Sequence, residues 1–191
     1  MAYTRGILGE QPSCDHCPLK GQKIVPPEGN PEAKIAIVGE GAGAEETRWG
    51  RPFIGKSGEL LNQLLVAANL RREDVWITNS ALCQPKGSVS LSKLGKRIYL
   101  APNKTKAIAA KFCRLRLLTE LKIVNPDVIV PLGGIAFEGV SGQRRSIQAI
   151  RGSVNFTDLD VEIERAWKFL DDTYRKVAEA KAGTEPEAAV L

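Results

Sequence analysis

The chain has 191 residues, 43% hydrophobic and 26% charged, an ordinary composition for one soluble globular domain with a sizeable core. Its apolar runs, such as Ile35 to Val38 and Val128 to Leu132, fall far short of a membrane span. The N-terminal stretch MAYTRGILGEQPSC lacks a signal-peptide core, so a cytoplasmic location without membrane contact is expected. A net charge of +5 conceals an asymmetry: Gln84 to Thr119 holds nine basic residues (Lys86, Lys93, Lys96, Arg97, Lys104, Lys106, Lys111, Arg114, Arg116) and no acid, leaving the remainder net acidic. Such a stretch is often only a solvated face, but a single-sign patch attracts phosphate backbones, and nucleic acid is the expected partner.

In chain order, the first feature is the pair Cys14-Asp-His-Cys17, with two further cysteines at Cys83 and Cys113. A chain expected in a reducing compartment has little use for disulfides. One local pair and two remote thiolates can close around zinc or around an iron-sulfur cluster, and by spacing alone two buried thiols beside a stray CxxC remain open too. After a Pro/Gly-rich loop, KIAIVGE reads as a buried strand ending at Gly39. Leu60, Leu61, Leu64, Leu65 and Ala68 then recur at helical spacing, predicting a helix over Ser57 to Asn69, and VWITN (Val75 to Asn79) is a second strand.

The basic stretch opens as a loop and turns helical over Lys106 to Lys122, where Ile108, Phe112, Leu115, Leu118 and Leu121 share a face. DVIVPLGG gives a third buried strand, and IAFEGVSG a short helix. Asp158 to Lys181 carries Ile163, Ala166, Trp167, Leu170, Tyr174 and Val177 on one side, the pattern of a docking helix, and AGTEPEAAVL reads as a frayed tail. Alternating strands and helices predict an α/β fold around a parallel sheet, with ligands beyond the strand C-termini, where Gly39, Asn79 and Gly133 lie.

The loop after the first strand, GEGAGAEETRWGRPFIGKSG, formally satisfies a relaxed dinucleotide fingerprint at Gly39, Gly41 and Ala44. The context argues against a Rossmann site, because Gly50, Pro52 and Gly55 are expected to break the chain before any helix, and the second strand ends in Asn79 rather than an acid. Glycines let a backbone approach a flat ligand, Phe53 offers a stacking face, and Glu40, Glu45 or Glu46 could place water. Asn79 can both donate and accept, as a nucleobase edge demands, and such a pocket beside a basic strip suits a flipped base.

Taken together, Cys14/Cys17, Gly39-Glu40, Gly43, Glu46, Gly50, Pro52-Phe53, Gly55, Ile77-Thr78-Asn79, Cys83, Cys113, Pro126 to Gly133 and Arg151-Gly152 resemble the iron-sulfur uracil-DNA glycosylases, family 4. The resemblance implies a three-layer αβα fold with a small central parallel sheet, formed by residues 1–157, followed by the amphipathic helix 158–181 and a tail 182–191. It implies a [4Fe-4S] cluster on Cys14, Cys17, Cys83 and Cys113. The implied catalytic residues are Glu46, to position water, and Asn79. Gly39, Glu40, Gly41, Phe53 and Asn79 would hold uracil, with Phe53 stacking and Asn79 pairing with its edge. Lys93, Lys96, Arg97, Lys104 and Lys106 are the expected DNA-binding residues, and the chain is expected to act as a monomer on uracil-containing DNA.

Ala42 stands where the family has proline, Thr47 where it has aspartate, and the 29 residues between Cys83 and Cys113 are a longer interval than the family's. Past Arg151-Gly152 the family continues into a fourth strand and a His-Pro loop, whereas here the one histidine is His16, so the last edge strand is expected to be missing. The expected activity is hydrolysis of the N-glycosidic bond of uracil in DNA, at a reduced rate without the His-Pro loop; a non-catalytic iron-sulfur DNA-binding module is the alternative, and a zinc-bound structural domain a third reading.

Overall fold

The computed structural model describes residues 12–91 and 97–182. A 3₁₀ turn at Pro12–His16 carries Cys14, and Cys17 follows directly after it. The order is then β1 (Glu28–Gly29), β2 (Ile35–Gly41), α1 (Ala44–Trp49), α2 (Lys56–Ala67), β3 (Trp76–Ala81), the hairpin β4 (Ser88–Leu91) and β5 (Arg97–Leu100), and α3 (Pro102–Val124). β6 (Val128–Pro131), α4 (Gly134–Ser141), α5 (Ile147–Ile150) and α6 (Leu159–Ala182) complete it. Lys93, Lys96 and the tail lie outside the described residues, apart from Ala182, which ends α6.

The strands read as buried pair in parallel as expected: β2 aligns Val38 with Thr78 and Gly39 with Asn79 of β3, and Ile35 to Val38 with Val128 to Pro131 of β6. The sheet order is β1-β3-β2-β6, and the two-residue β1 runs antiparallel to β3, so the sheet is mixed rather than wholly parallel. Two residues carry no periodic signal, which is why β1 escaped the sequence reading. β6 is the opposite edge, with Val128 and Val130 exposed, and no strand follows it among the described residues.

Alternation along the central strands builds three layers. Ala36, Val38 and Trp76 pack on Leu117, Leu121 and Val124 of α3 and Ala136 and Val140 of α4, while Ile37, Val75 and Ile77 pack on Leu61 and Leu65 of α2. The α2 stripe therefore divides: Leu61 and Leu65 enter the core, whereas Leu60 and Leu64 stay exposed. On α6 the expected face is rotated, with Ala166 and Leu170 buried and Trp167 facing solvent. Ile108, assigned to the apolar face of α3, is exposed in the same way.

The second departure on α3 is chemical. Arg116 and Glu120, one turn apart, are 4% and 0% exposed. Arg116 Nη1 donates to Glu120 Oε2 at 2.7 Å and to Thr78 Oγ1 at 3.3 Å; its Nη2 donates to the Asn79 carbonyl at 2.7 Å and to that of Ser80 at 3.2 Å. Trp76 Nε1 donates to the other Glu120 oxygen at 2.7 Å. A hydrophobicity pattern cannot show this, because the pair is completed by hydrogen bonds to a strand some forty residues earlier in the chain.

Truncating one partner strands the other charge in the core. Glu120→Ala should lower unfolding free energy by about 3 to 5 kcal/mol, and Arg116→Met combined with Glu120→Leu should recover much of that loss. Denaturant titration followed by circular dichroism checks this, and a Glu120→Ala loss below about 1 kcal/mol would contradict the proposed weight of the pair.

Candidate active site

A cleft of about 750 Å³ opens beyond the C-terminal ends of β2 and β3, where the parallel strands were expected to hold a ligand. Its inner wall depends on one bare backbone. A Cβ at Gly39 would collide with Asn79 Oδ1 and lie 2.6 Å from Phe53 Cζ, so only glycine lets the amide and the ring converge there. Asn79, 3% exposed, faces Gly39 across the β2–β3 register, and its own carbonyl is fixed by Arg116.

Phe53 is held in the left-handed region at φ 52°. Two contacts stabilise a conformation that is strained for an aromatic residue. Gly58 leaves room for the Phe53 carbonyl, which a Cβ there would strike. Arg72 Nη2 donates to the Pro52 carbonyl at 2.6 Å and Nη1 to that of Phe53 at 3.3 Å, while the same guanidinium reaches Glu28 of β1 and Asn62 of α2. Arg72 was not singled out from the sequence, and nothing in its local pattern distinguishes it from Arg71 beside it.

The glycine-rich loop is not free of helix, contrary to expectation: α1 starts directly after Gly43, and Gly50 ends it in the left-handed conformation at φ 74°. Glutamates 45 and 46 in its first turn suit the positive end of the helix. Glu46, 9% exposed, folds over Gly43, where a Cβ would meet its Oε2, and its Oε1 accepts the Gly55 amide at 3.2 Å. The carboxylate is thereby fixed on the cleft wall.

Glu40 also borders the cleft, but both its oxygens are engaged. Oε2 takes Lys106 Nζ at 2.6 Å and Oε1 takes the Ile135 amide at 3.2 Å, over a bare Gly133 at φ 107°. The Lys106 stem passes beside the backbone of Gly41, its Cδ 3.4 Å from where a Cβ would stand, an ordinary contact distance. Leu60 and Leu64 of α2 and Leu132 after β6 give the mouth an apolar rim.

The basic stretch is less uniform in space than in sequence. Lys106 pairs with Glu40, Lys111 stands 4.0 Å from Glu138, Arg114 bonds Glu162, and Arg116 is buried on Glu120. Acids from elsewhere in the chain, or just past the stretch, offset these four. Lys104 and Lys86 are exposed, Arg97 lies in β5, and Lys93 and Lys96 lie outside the described residues.

Cys14, Cys17, Cys83 and Cys113 are all half-buried and carry no disulfide among them. Cys17 and Cys83 lie against Leu19, Ala81 and Ala109, and Cys83 is tied by a bridge to Ile24. Burial pushes the Cys17 thiol up to about 11 and the Cys83 thiol up to about 12, with neighbouring cysteines adding to each rise. The sulfurs of three separate segments are therefore within electrostatic reach of one another. Among the described residues no three His, Cys, Asp or Glu side chains are gathered into a single-ion site. His16 meets Tyr174 of α6 edge-on, ring centroids 4.9 Å apart, and does not line the cleft.

Comparison with known proteins adds a lineage. The profile described as the Uracil DNA glycosylase superfamily matches residues 26–177. The chain is similar to the type-4 uracil-DNA glycosylase of Thermotoga maritima, at 39% identity over 159 residues, 79% of this chain and 76% of that protein. It is also similar to the type-4 uracil-DNA glycosylases of Archaeoglobus fulgidus, at 36% over 71% of this chain and 62% of the relative, and of Pyrobaculum aerophilum, at 36% over 65% and 57%. With the profile spanning both walls of the cleft and most of the chain's length, the chain belongs to the uracil-DNA glycosylase superfamily.

Proposed function

We propose that the protein hydrolyses the N-glycosidic bond of uracil in DNA. The observation that carries this reading is the convergence of the Phe53 ring and the Asn79 amide over Gly39, which sets an apolar stacking face beside a group able to donate and accept on the cleft wall. A flipped base lies on Phe53 with its edge toward Asn79, two groups that the bare backbone of Gly39 brings together. Glu46, fixed by the Gly55 amide, orients a water toward the sugar carbon and receives its proton. Glu40, assigned to uracil from sequence, contributes through Lys106 and Ile135 instead of directly.

Cys14, Cys17, Cys83 and Cys113 are the residues that would hold a [4Fe-4S] cluster. Four half-buried thiols from three segments, two of them against Leu19, Ala81 and Ala109, supply the donor type that such a cluster takes. When bound, the group would serve as a clamp, pinning the N-terminal turn to β3 and α3. We read residues 1–157 as the glycosylase domain with 158–181 docked on it, acting as a monomer in the cytoplasm. Among the described residues no helix is long and apolar enough to cross a membrane.

Incubation with a uracil-containing oligonucleotide, followed by alkaline cleavage at abasic sites, tests the activity. Strand breaks at uracil are expected, whereas DNA binding without breaks would favour a non-catalytic DNA-binding module. Phe53→Ala should reduce the preference for uracil-containing DNA by about 1 to 3 kcal/mol while sparing general affinity. Asn79→Asp, which removes the amide donor, should abolish uracil recognition or move it toward cytosine. Glu46→Gln should slow turnover more than it weakens binding. Unchanged uracil discrimination and cleavage in all three would remove the base pocket from the account.

Protein purified without oxygen should be brown, and Cys83→Ser or Cys113→Ser should bleach it while His16→Ala leaves the colour intact. Colourless protein with stoichiometric zinc is the contrary result. DNA affinity should fall steeply with salt, and neutralising Lys93, Lys96, Arg97 and Lys104 together should flatten that dependence for any sequence. An unaltered salt slope would make the strip an ordinary solvated surface.

A further inference from the structure

Lys106 sits in the first turns of α3, inside a stretch whose charge suggests phosphate contacts, yet its side chain is 21% exposed and turned to the cleft. Its stem crosses the bare backbone of Gly41. Gly39 and Gly41 lie on one face of β2, so the lysine stem stands on the same side as Phe53 and Asn79, about 7 Å further along the strand. The ammonium is held by Glu40 Oε2 at 2.6 Å. The other oxygen of Glu40 accepts the Ile135 amide in the first turn of α4, where the helix end offsets part of the carboxylate charge. One of the three lysine donors is thus used for positioning, and two remain for a ligand.

Resting on the glycosylase reading above, we propose that Lys106 is a catalytic residue that stabilises the uracil anion as it departs. When the bond from the sugar carbon to N1 breaks, both electrons go to the base and spread onto its carbonyl oxygens. The sugar carbon becomes oxocarbenium-like and bonds to the oxygen of water, whose proton passes to Glu46. The uracil anion leaves and takes a proton from solvent. Throughout, Lys106 stays protonated and donates a hydrogen bond to a base carbonyl oxygen, a preorganised charge aimed at where negative charge develops. The chain's one histidine, beside Cys14 and Cys17 in the sequence, is packed on Tyr174, and among the described residues Lys106 is the cleft lysine pinned by a carboxylate on the wall. Glu40 is accordingly a positioning residue.

The test is single-turnover excision at saturating protein for the full chain and its Lys106→Met and Lys106→Arg variants, on oligonucleotides carrying either uracil or 5-fluorouracil. Lys106→Met should slow uracil release by about 10²- to 10³-fold with little change in DNA affinity, and Lys106→Arg should restore part of the rate. The loss should shrink on 5-fluorouracil, whose fluorine stabilises the departing anion unaided. A phosphate contact or a folding defect would scale both bases alike, and that result, or a loss confined to DNA affinity, overturns the assignment. If Lys106→Met does not fold, the same comparison of the two bases is made with Lys106→Arg. A wild-type protein unable to excise either base would defeat the glycosylase reading itself, and this proposal with it.

Discussion

The guanidinium of Arg116 is the point on which the site depends. It lies in the protein interior, bonded to Glu120 on its own helix and to Thr78, Asn79 and Ser80 at the end of β3. Burying that charge is costly, and it is tolerable only because a carboxylate, two carbonyls and a hydroxyl surround it. The arrangement fixes how α3 sits on the strand that carries Asn79. It also sets Cys83, two residues past that strand, relative to Cys113, three residues before Arg116 on the helix. Lys106 and Cys113 ride on α3 while Asn79 and Cys83 lie on or just past β3, so a shift of α3 against β3 would disturb the cleft and the cysteines at once.

Around that contact the cleft is shaped by close approaches that only missing side chains allow. Gly39 admits Phe53 and Asn79, Gly43 admits the Glu46 carboxylate, and Gly133 admits Glu40. Each glycine places a particular functional group, so the loop is rich in glycine without being loose. Arg72 adds a second fixed charge, bonding the carbonyls of Pro52 and Phe53 and so holding Phe53 in a conformation it would not choose alone.

Much of this was legible in the sequence. Short apolar runs marked β2, β3 and β6, helical spacing marked α2, α3, α4 and α6, and the strand ends placed Gly39 and Asn79 at one mouth. Three kinds of feature were not. β1 and α1 are too short for periodicity to register, although glutamates behind Gly43 and a glycine at position 50 are consistent with a one-turn helix. Charges whose partners lie far away in the chain, Arg116, Arg72 and Lys106, read as surface until the fold brings their acids and carbonyls near. Trp167 and Leu60 look like core residues by spacing, but a wide apolar stripe does not say which half is covered. The i,i+4 pairing of Arg116 with Glu120 on an otherwise apolar face was the one local signal of a buried ion pair that could have been noticed.

The central claim is that the cleft bordered by Phe53 and Asn79 is a uracil pocket. A crystal structure of the Glu46→Gln variant bound to a uracil-containing oligonucleotide tests it most directly. The account requires the base to be out of the helix, its ring on Phe53, its edge against Asn79 and a carbonyl oxygen within hydrogen-bond reach of Lys106 Nζ. A base left stacked in the DNA, or seated elsewhere on the protein with Phe53 and Asn79 untouched, would contradict it.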